Sequence, residues 1–229
     1  MCCSRLSSIL NNKVWLMAFP KKESTTHSCR SWEQAWVRCL KFNNKIEYME
    51  WQSISGRKKS DWIDFYQTPQ WVTKKLLDNI SLSWTILEPA SGSWAISKVL
   101  EAYGYNVQSQ DIRTDERVYW VRWVSIFDCS NKYDTIITNP PYFCAKDFIL
   151  KSLELSDNVI MLLKLQFLES ADRYDFFKNT PLKKVYVICK RVTMYPDGEP
   201  EPKNSWTIAY AWYIWDKSYT GNTEIEWLL

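Results

Sequence analysis

Short apolar, often β-branched blocks alternate in this chain with stretches whose apolar residues recur every three or four positions. An unbroken apolar run of four to eight residues predicts a buried strand, and the three-to-four spacing predicts a helix with one apolar face. Strands are therefore predicted at 84–87, 135–138, 159–163, 185–189 and 206–215, with the polar segment 106–110, which leads to Asp111, able to form another and Phe127-Asp128 as a further strand end. Thr68-Pro69 predicts a helix start, with proline at the first helical position and Val72, Leu76 and Leu77 on the apolar face. Ile96, Val99, Leu100 and Tyr103 stand at i, i+3, i+4 and i+7, and Gly104 ends that helix in a left-handed cap. Residues 145–155 read as a helix with Phe148, Ile149 and Leu153 inward, and 170–177 as another. Strands alternating with helices predict an α/β domain with a mostly parallel sheet flanked by helices. The last two strands are joined by the proline-rich loop 191–204 without a helix, which predicts an antiparallel pair at one side.

The first 60 residues lack this order. A short helix over 31–40, a polar loop over 21–26 and a basic linker over 55–60 are the readings there, the linker being either solvated or a phosphate contact. The chain thus divides into an N-terminal extension, 1–60, and a principal domain, 61–229.

Composition changes the picture further. The chain has 229 residues, enough for a sizeable core. Its 14 Trp and 13 Tyr exceed ordinary usage; most belong to core and surface packing, leaving a few for stacking on planar ligands. The net charge of +3 is compatible with a polyanionic partner without demanding one. Seven cysteines, an odd count with no Cys-x-x-Cys pair, and the single His27 argue against a zinc site or a disulfide framework. They favour a reducing, cytoplasmic compartment. No apolar run reaches membrane-spanning length, and residues 5–19 are too polar for a signal peptide.

The candidate chemistry centres on Thr135-Ile136-Ile137-Thr138-Asn139-Pro140-Pro141-Tyr142. A β-branched strand is stopped by two prolines, so Asn139 sits at a strand tip, the usual ligand position in an open α/β sheet. The Asn139 side-chain oxygen and the Pro140 carbonyl are neighbouring acceptors, Pro140 and Pro141 stiffen the backbone, and Tyr142 offers an aromatic face. Two acceptors and a platform fit a flat group bearing an NH2. Binding both protons favours a pyramidal nitrogen whose lone pair attacks an electrophile. At the tip of 84–87, Glu88-Pro89-Ala90-Ser91-Gly92-Ser93-Trp94 leads into a helix, and Gly92 lets a ligand approach the backbone there. Glu88 either holds a cationic amine or positions loop amides. Asp111, at the next strand tip, suits a pair of ribose hydroxyls, and Asp128 an adenine amino group; turn capping is the alternative for Asp111.

Three segments in this order resemble the class I S-adenosylmethionine-dependent methyltransferases acting on the adenine amino group of DNA: 64–69 (Asp-Phe-Tyr-Gln-Thr-Pro), 88–93 (Glu-Pro-Ala-Ser-Gly-Ser) and 139–142 (Asn-Pro-Pro-Tyr). The stretch 162–173, with Lys164, Phe167, Glu169 and Arg173, and the closing 211–216 are similar to compact methyltransferases often carried by phages and prophages. The resemblance covers about residues 62–229 and implies a Rossmann-like class I fold. It implies that Tyr66, Thr68 and Pro69 hold the methionine end of the cofactor, that Glu88, Ala90 and Gly92 form the cofactor loop, and that Asp111 binds the ribose. Asp128 would take the adenine, and Asn139, Pro140, Pro141 and Tyr142 would be the catalytic tetrapeptide. The cofactor would be S-adenosylmethionine, leaving as S-adenosylhomocysteine, with no metal required. The partner would be double-stranded DNA, its target base flipped onto Tyr142 with Phe143 a second surface. Where the family usually has a second glycine this chain has Trp94, and where it often has aspartate, Ser93. An indole there narrows the cofactor pocket. There is no room for a separate recognition domain between Asp111 and Asn139 or after Leu163, so low specificity, a short target or a partner subunit or dimer is expected, with 117–123, 191–204 and 1–60 as the candidate recognition elements. The same tetrapeptide serves RNA and protein-glutamine methylation, and a blocked cofactor loop would suit an inactive, nucleic-acid-binding subunit.

Overall fold

The alternating pattern folds into an eight-stranded sheet with helices on both faces. The computed structural model describes residues 66–113, 121–122, 124–196 and 208–229, with backbone alone at 121–122 and 195–196. The readings for 1–60, and most of 117–123 and 197–204, lie outside the described residues.

The strands are β1 (Tyr66–Gln67), β2 (Thr85–Glu88), β3 (Asn106–Asp111), β4 (Val121–Arg122), β5 (Tyr133–Thr138), β6 (Ser156–Lys164), β7 (Leu182–Ile188), β8 (Tyr195–Pro196), β9 (Tyr210–Asp216) and β10 (Glu224–Leu228). The helices are α1 (Gln70–Leu77), α2 (Ala95–Ala102), α3 (Ala145–Leu155) and α4 (Tyr174–Lys178). In the main sheet the order is β4-β3-β2-β5-β6-β9-β7-β10. β4 through β6 run parallel, and β9 enters between β6 and β7 antiparallel to both. This is the predicted antiparallel arrangement, with the reversed strand inserted rather than at the rim. β10, which the mixed Glu-Ile-Glu-Trp-Leu pattern did not announce, pairs parallel with β7 and forms the edge. β1 and β8 make a separate antiparallel ribbon, joining the segment before α1 to the loop after β7.

The central strands are apolar on both sides because both faces are covered, as parallel sheets require. Ile137, Ile160 and Trp212 face α1 and α2, packing with Val72, Leu76, Ile96 and Leu100. Ile136, Val159, Met161 and Tyr213 face α3 and α4, packing with Phe148, Ile149 and Phe176. Buried Trp212 donates through Nε1 to the Val72 carbonyl at 3.2 Å, tying β9 to α1. Tyr213 and Trp215 stack with centroids 5.9 Å apart, so part of the aromatic excess is core.

Two predicted elements differ. Residues 170–177 are not one helix: Ser170, with φ 144°, caps a short 3-10 turn, Ala171–Arg173, which is followed by α4. Phe127-Asp128 is no strand end but part of a 3-10 turn, Ile126–Asp128, whose first amides are met by the Ser125 hydroxyl.

Candidate active site

Site residues gather at the carboxyl ends of β2, β3, β5 and β6, where strands hand the chain to loops. β5 ends at Thr138, and Asn139 is the first residue beyond it. Its Nδ2 donates to Thr68 Oγ1 at 3.2 Å, while its Oδ1 is buried with no hydrogen-bond partner. Thr68, itself buried, was expected to cap α1; instead Pro69 is the N-cap residue, no side chain caps the helix, and the hydroxyl serves Asn139. Tyr66, in β1, is half-buried beside the same helix. Pro140 is buried, and Pro141 introduces the 3-10 turn Tyr142–Cys144. The Tyr142 ring is half-buried, 6.3 Å from the Tyr210 ring, with Lys164 Nζ 5.0 Å from its centroid.

Glu88 ends β2 and is 1% exposed. Its carboxylate accepts from the Ser97 amide at 2.9 Å and from the Ser97 hydroxyl. Ser97 lies in the first turn of α2, so Glu88 stands in for the missing cap. Burial pushes its carboxyl up to about 8 despite the Ser97 hydrogen bonds, and the charges of Asp111 and Glu101 push the same way. Glu88 thus ties the tip of β2 to the first turn of α2. Ala90 is half-buried in the loop that follows. Gly92 has φ 53° and donates its amide to Asp111 Oδ2 at 2.8 Å. Asp111 Oδ1 accepts from the Arg113 amide at 2.8 Å, with the Arg113 Nε 3.6 Å away. Asp111 therefore ties the tip of β3 to the glycine of the loop. The hydroxyls of Ser91 and Ser93 are buried without partners.

Trp94, at the position where a second glycine was the family expectation, adopts φ 63°, the left-handed conformation glycine favours. An L residue there costs roughly 1–2 kcal/mol. Lys98 Nζ lies 3.8 Å from the indole centroid and offsets part of this.

Asp128 stands apart. Its side chain is exposed, and none of its hydrogen bonds to described residues reaches the others of the group. Phe127 packs edge-on against Phe148 at 6.1 Å.

Beside Tyr142 lies a cavity of about 580 Å³ whose lining includes Lys164, Gln166, Phe167, Arg173 and the acidic Glu169. The sequence marks this stretch without giving it a role. Lys164 carries the same signal as Asn139, a polar residue closing an apolar strand. Phe143, expected as a second stacking surface, is exposed and does not line this cavity, whereas Phe167 does. Among the described residues no three His, Cys, Asp or Glu side chains group as metal ligands, and no helix is long and apolar enough to cross a membrane.

No family model and no curated protein matches the sequence. Solved structures do match. A protein from Pyrococcus horikoshii described as a "putative RNA methyltransferase" aligns with a TM-score of 0.51 and 15% identity over 68% of this chain and 88% of its own. The modification subunit of a "putative type I restriction enzyme" from Vibrio vulnificus aligns with 0.47 and 13% over 86% and 51%. Magnesium protoporphyrin IX methyltransferase from Synechocystis, with bound S-adenosylmethionine, aligns with 0.44 and 13% over 82% and 99%. The strand order, with one reversed strand inserted near the edge, and the first of these likenesses place this chain in the Rossmann-like fold of the class I methyltransferases.

Proposed function

We propose that this protein transfers a methyl group from S-adenosylmethionine to the exocyclic amino group of adenine in double-stranded DNA. The observation that carries the reading is the Asn139 Oδ1: a buried acceptor without a partner, at the tip of a central parallel strand, its orientation held by the Nδ2 bond to Thr68. An unsatisfied buried acceptor costs about 1–3 kcal/mol, and an arriving N–H donor removes that cost. The two prolines fix the Pro140 carbonyl nearby, so an amino group meets two acceptors without reordering the backbone. Donating both protons draws the nitrogen out of conjugation and turns its lone pair toward the electrophile. Tyr142 holds the heterocycle from one side.

The residues of the β2–α2 loop fit the cofactor. The unpartnered, buried hydroxyls of Ser91 and Ser93 supply polar contacts, and Gly92 keeps the backbone approachable. Bound S-adenosylmethionine supplies a methyl group already activated by its sulfonium and leaves as S-adenosylhomocysteine. Tyr66, Thr68, Pro69, Glu88, Ala90, Gly92 and Asp111 are the residues assigned to hold it; Asp128, exposed and apart from these, is left out of the set. Glu88 and Asp111 act chiefly by fixing the loop, from below through Ser97 and from beside through Gly92. Catalysis is then orientation together with polarisation of the amine. A base paired in a duplex cannot reach a strand tip, so it must be flipped out. Supporting the DNA reading are the three segments in family order and the ring-lined cavity beside Tyr142.

The test is Asn139→Ala. Methyl transfer from tritiated cofactor to unmethylated DNA should fall by at least about 100-fold, while titration calorimetry shows cofactor affinity within a few fold of wild type. Unimpaired transfer would defeat the assignment.

A further inference from the structure

We propose that the cavity beside Tyr142 seats the substrate nucleotide and that Lys164 binds its phosphate, an inference that rests on the amino-methylation reading and adds a second, anionic handle on the same substrate. The volume of about 580 Å³ is ample for one nucleotide. Its walls combine the rings of Tyr142 and Phe167 with the cation of Lys164, the pairing that a base carrying a phosphate requires.

Lys164 is built into the wall. It is the last residue of β6, half-buried, and its backbone is pinned because its carbonyl accepts from the Tyr213 hydroxyl at 3.1 Å. Among the described residues no carboxylate lies within ion-pairing distance of its Nζ; its one ring contact is Tyr142. A ring face holds a cation weakly compared with a charge-assisted hydrogen bond to phosphate. The ammonium is therefore poised to exchange one for the other, clearing Tyr142 as it does so.

Arg173 lines the same cavity, but three of its five N–H donors are spent on the wall. Nε donates to the Phe167 carbonyl at 2.8 Å, and Nη2 to the carbonyls of Gln166, at 3.3 Å, and Glu169. Its guanidinium also lies 4.8 Å from the Phe167 ring centroid. The loop it fastens contains Ser170 at φ 144°, a conformation that costs an L residue about 1–3 kcal/mol and that the clamp sustains. Arg173 is a positioning residue, holding Phe167 and Gln166 at the rim while Lys164 supplies the free charge.

The experiment is equilibrium binding of a fluorescein-labelled, mixed-sequence single-stranded oligodeoxynucleotide, read by anisotropy between about 50 and 200 mM KCl. The proteins are full-length wild type, Lys164→Met, Lys164→Arg and Arg173→Lys. Removing one phosphate contact from a single strand should make the slope of log K against log salt shallower by about 0.7. Lys164→Met is expected to show that change and Lys164→Arg to retain the wild-type slope. Arg173→Lys, which keeps the charge but loses the fork, should weaken binding at every salt concentration with the slope unchanged. A Lys164→Met slope equal to wild type, or a wild type that does not bind the strand, overturns the proposal. Binding involves no methyl transfer, so this failure leaves the role of Asn139 standing. Conversely, an active Asn139→Ala enzyme would end that role whatever the slopes.

Discussion

Replacing Glu88 by Gln should remove most of the pH dependence of stability between pH 5 and 8. Glu88 is buried at the end of β2 against α2, its carboxyl raised from 4.5 to about 8, chiefly by burial. In the unfolded chain it ionises near 4.5; in the folded protein it keeps its proton to about 8. Between those values the folded state binds the extra proton, so stability is full below pH 4.5 and is lost as pH rises to about 8. The slope is about 1.4 kcal/mol per pH unit at its steepest, so about 2–3 kcal/mol disappears from pH 5.5 to 7.5. Glutamine has the shape of the protonated acid, and its oxygen can take the place of Oε2, which accepts from both the amide and the hydroxyl of Ser97. The variant should therefore match wild type within about 1 kcal/mol at pH 5.5 and exceed it above pH 7.5. Asp134, Asp216 and Glu224, all lowered, change charge below this window and are common to both proteins. Urea unfolding at half-unit pH steps gives the difference directly. Parallel pH profiles would refute the reasoning, showing Glu88 ionised in the folded protein.

Three further outcomes are expected. Trp94→Gly relieves a left-handed L residue at a cost of one cation–π contact, so stability should stay level or rise by about 1 kcal/mol; calorimetric melting that shows a loss above about 2 kcal/mol would mean indole packing dominates. Thr68→Val keeps the volume but removes the hydroxyl that orients Asn139, so single-turnover methyl transfer should slow by about 10-fold to 100-fold with the melting temperature little changed. Trp212→Phe breaks the bond to the Val72 carbonyl in a fully buried position and should cost about 1–3 kcal/mol in urea unfolding.

The sheet was legible because buried parallel strands are written as apolar runs, and α3 over 145–155 because its inward residues keep a helical period. Gly104 and the tip position of Asn139 followed from local chain chemistry. What the sequence hid are consequences of long-range pairing. Thr68 reads locally as a cap, yet its hydroxyl bonds a residue 71 positions away. Glu88 reads as a group for a cationic amine or for loop amides, yet the fold turns the first turn of α2 onto it. Asp128 reads as a strand tip, but Ser125 closes a 3-10 turn there and leaves the carboxylate outside. Trp94 was recognisable as a departure, but not as a tryptophan in a glycine conformation. β10 alternates charge with apolar residues because, at the sheet edge, Glu224 and Glu226 pair with Lys184 while Ile225 and Trp227 stay exposed.

The central claim is that Asn139 presents a buried acceptor to an amino group of adenine. Its most direct test is to incubate unmethylated DNA with the protein and S-adenosylmethionine, digest to nucleosides and analyse them by mass spectrometry. The account predicts N6-methyldeoxyadenosine with wild type and none with Asn139→Ala. Methylation at any other position, or no methylated nucleoside from a wild type that binds the cofactor, would contradict it.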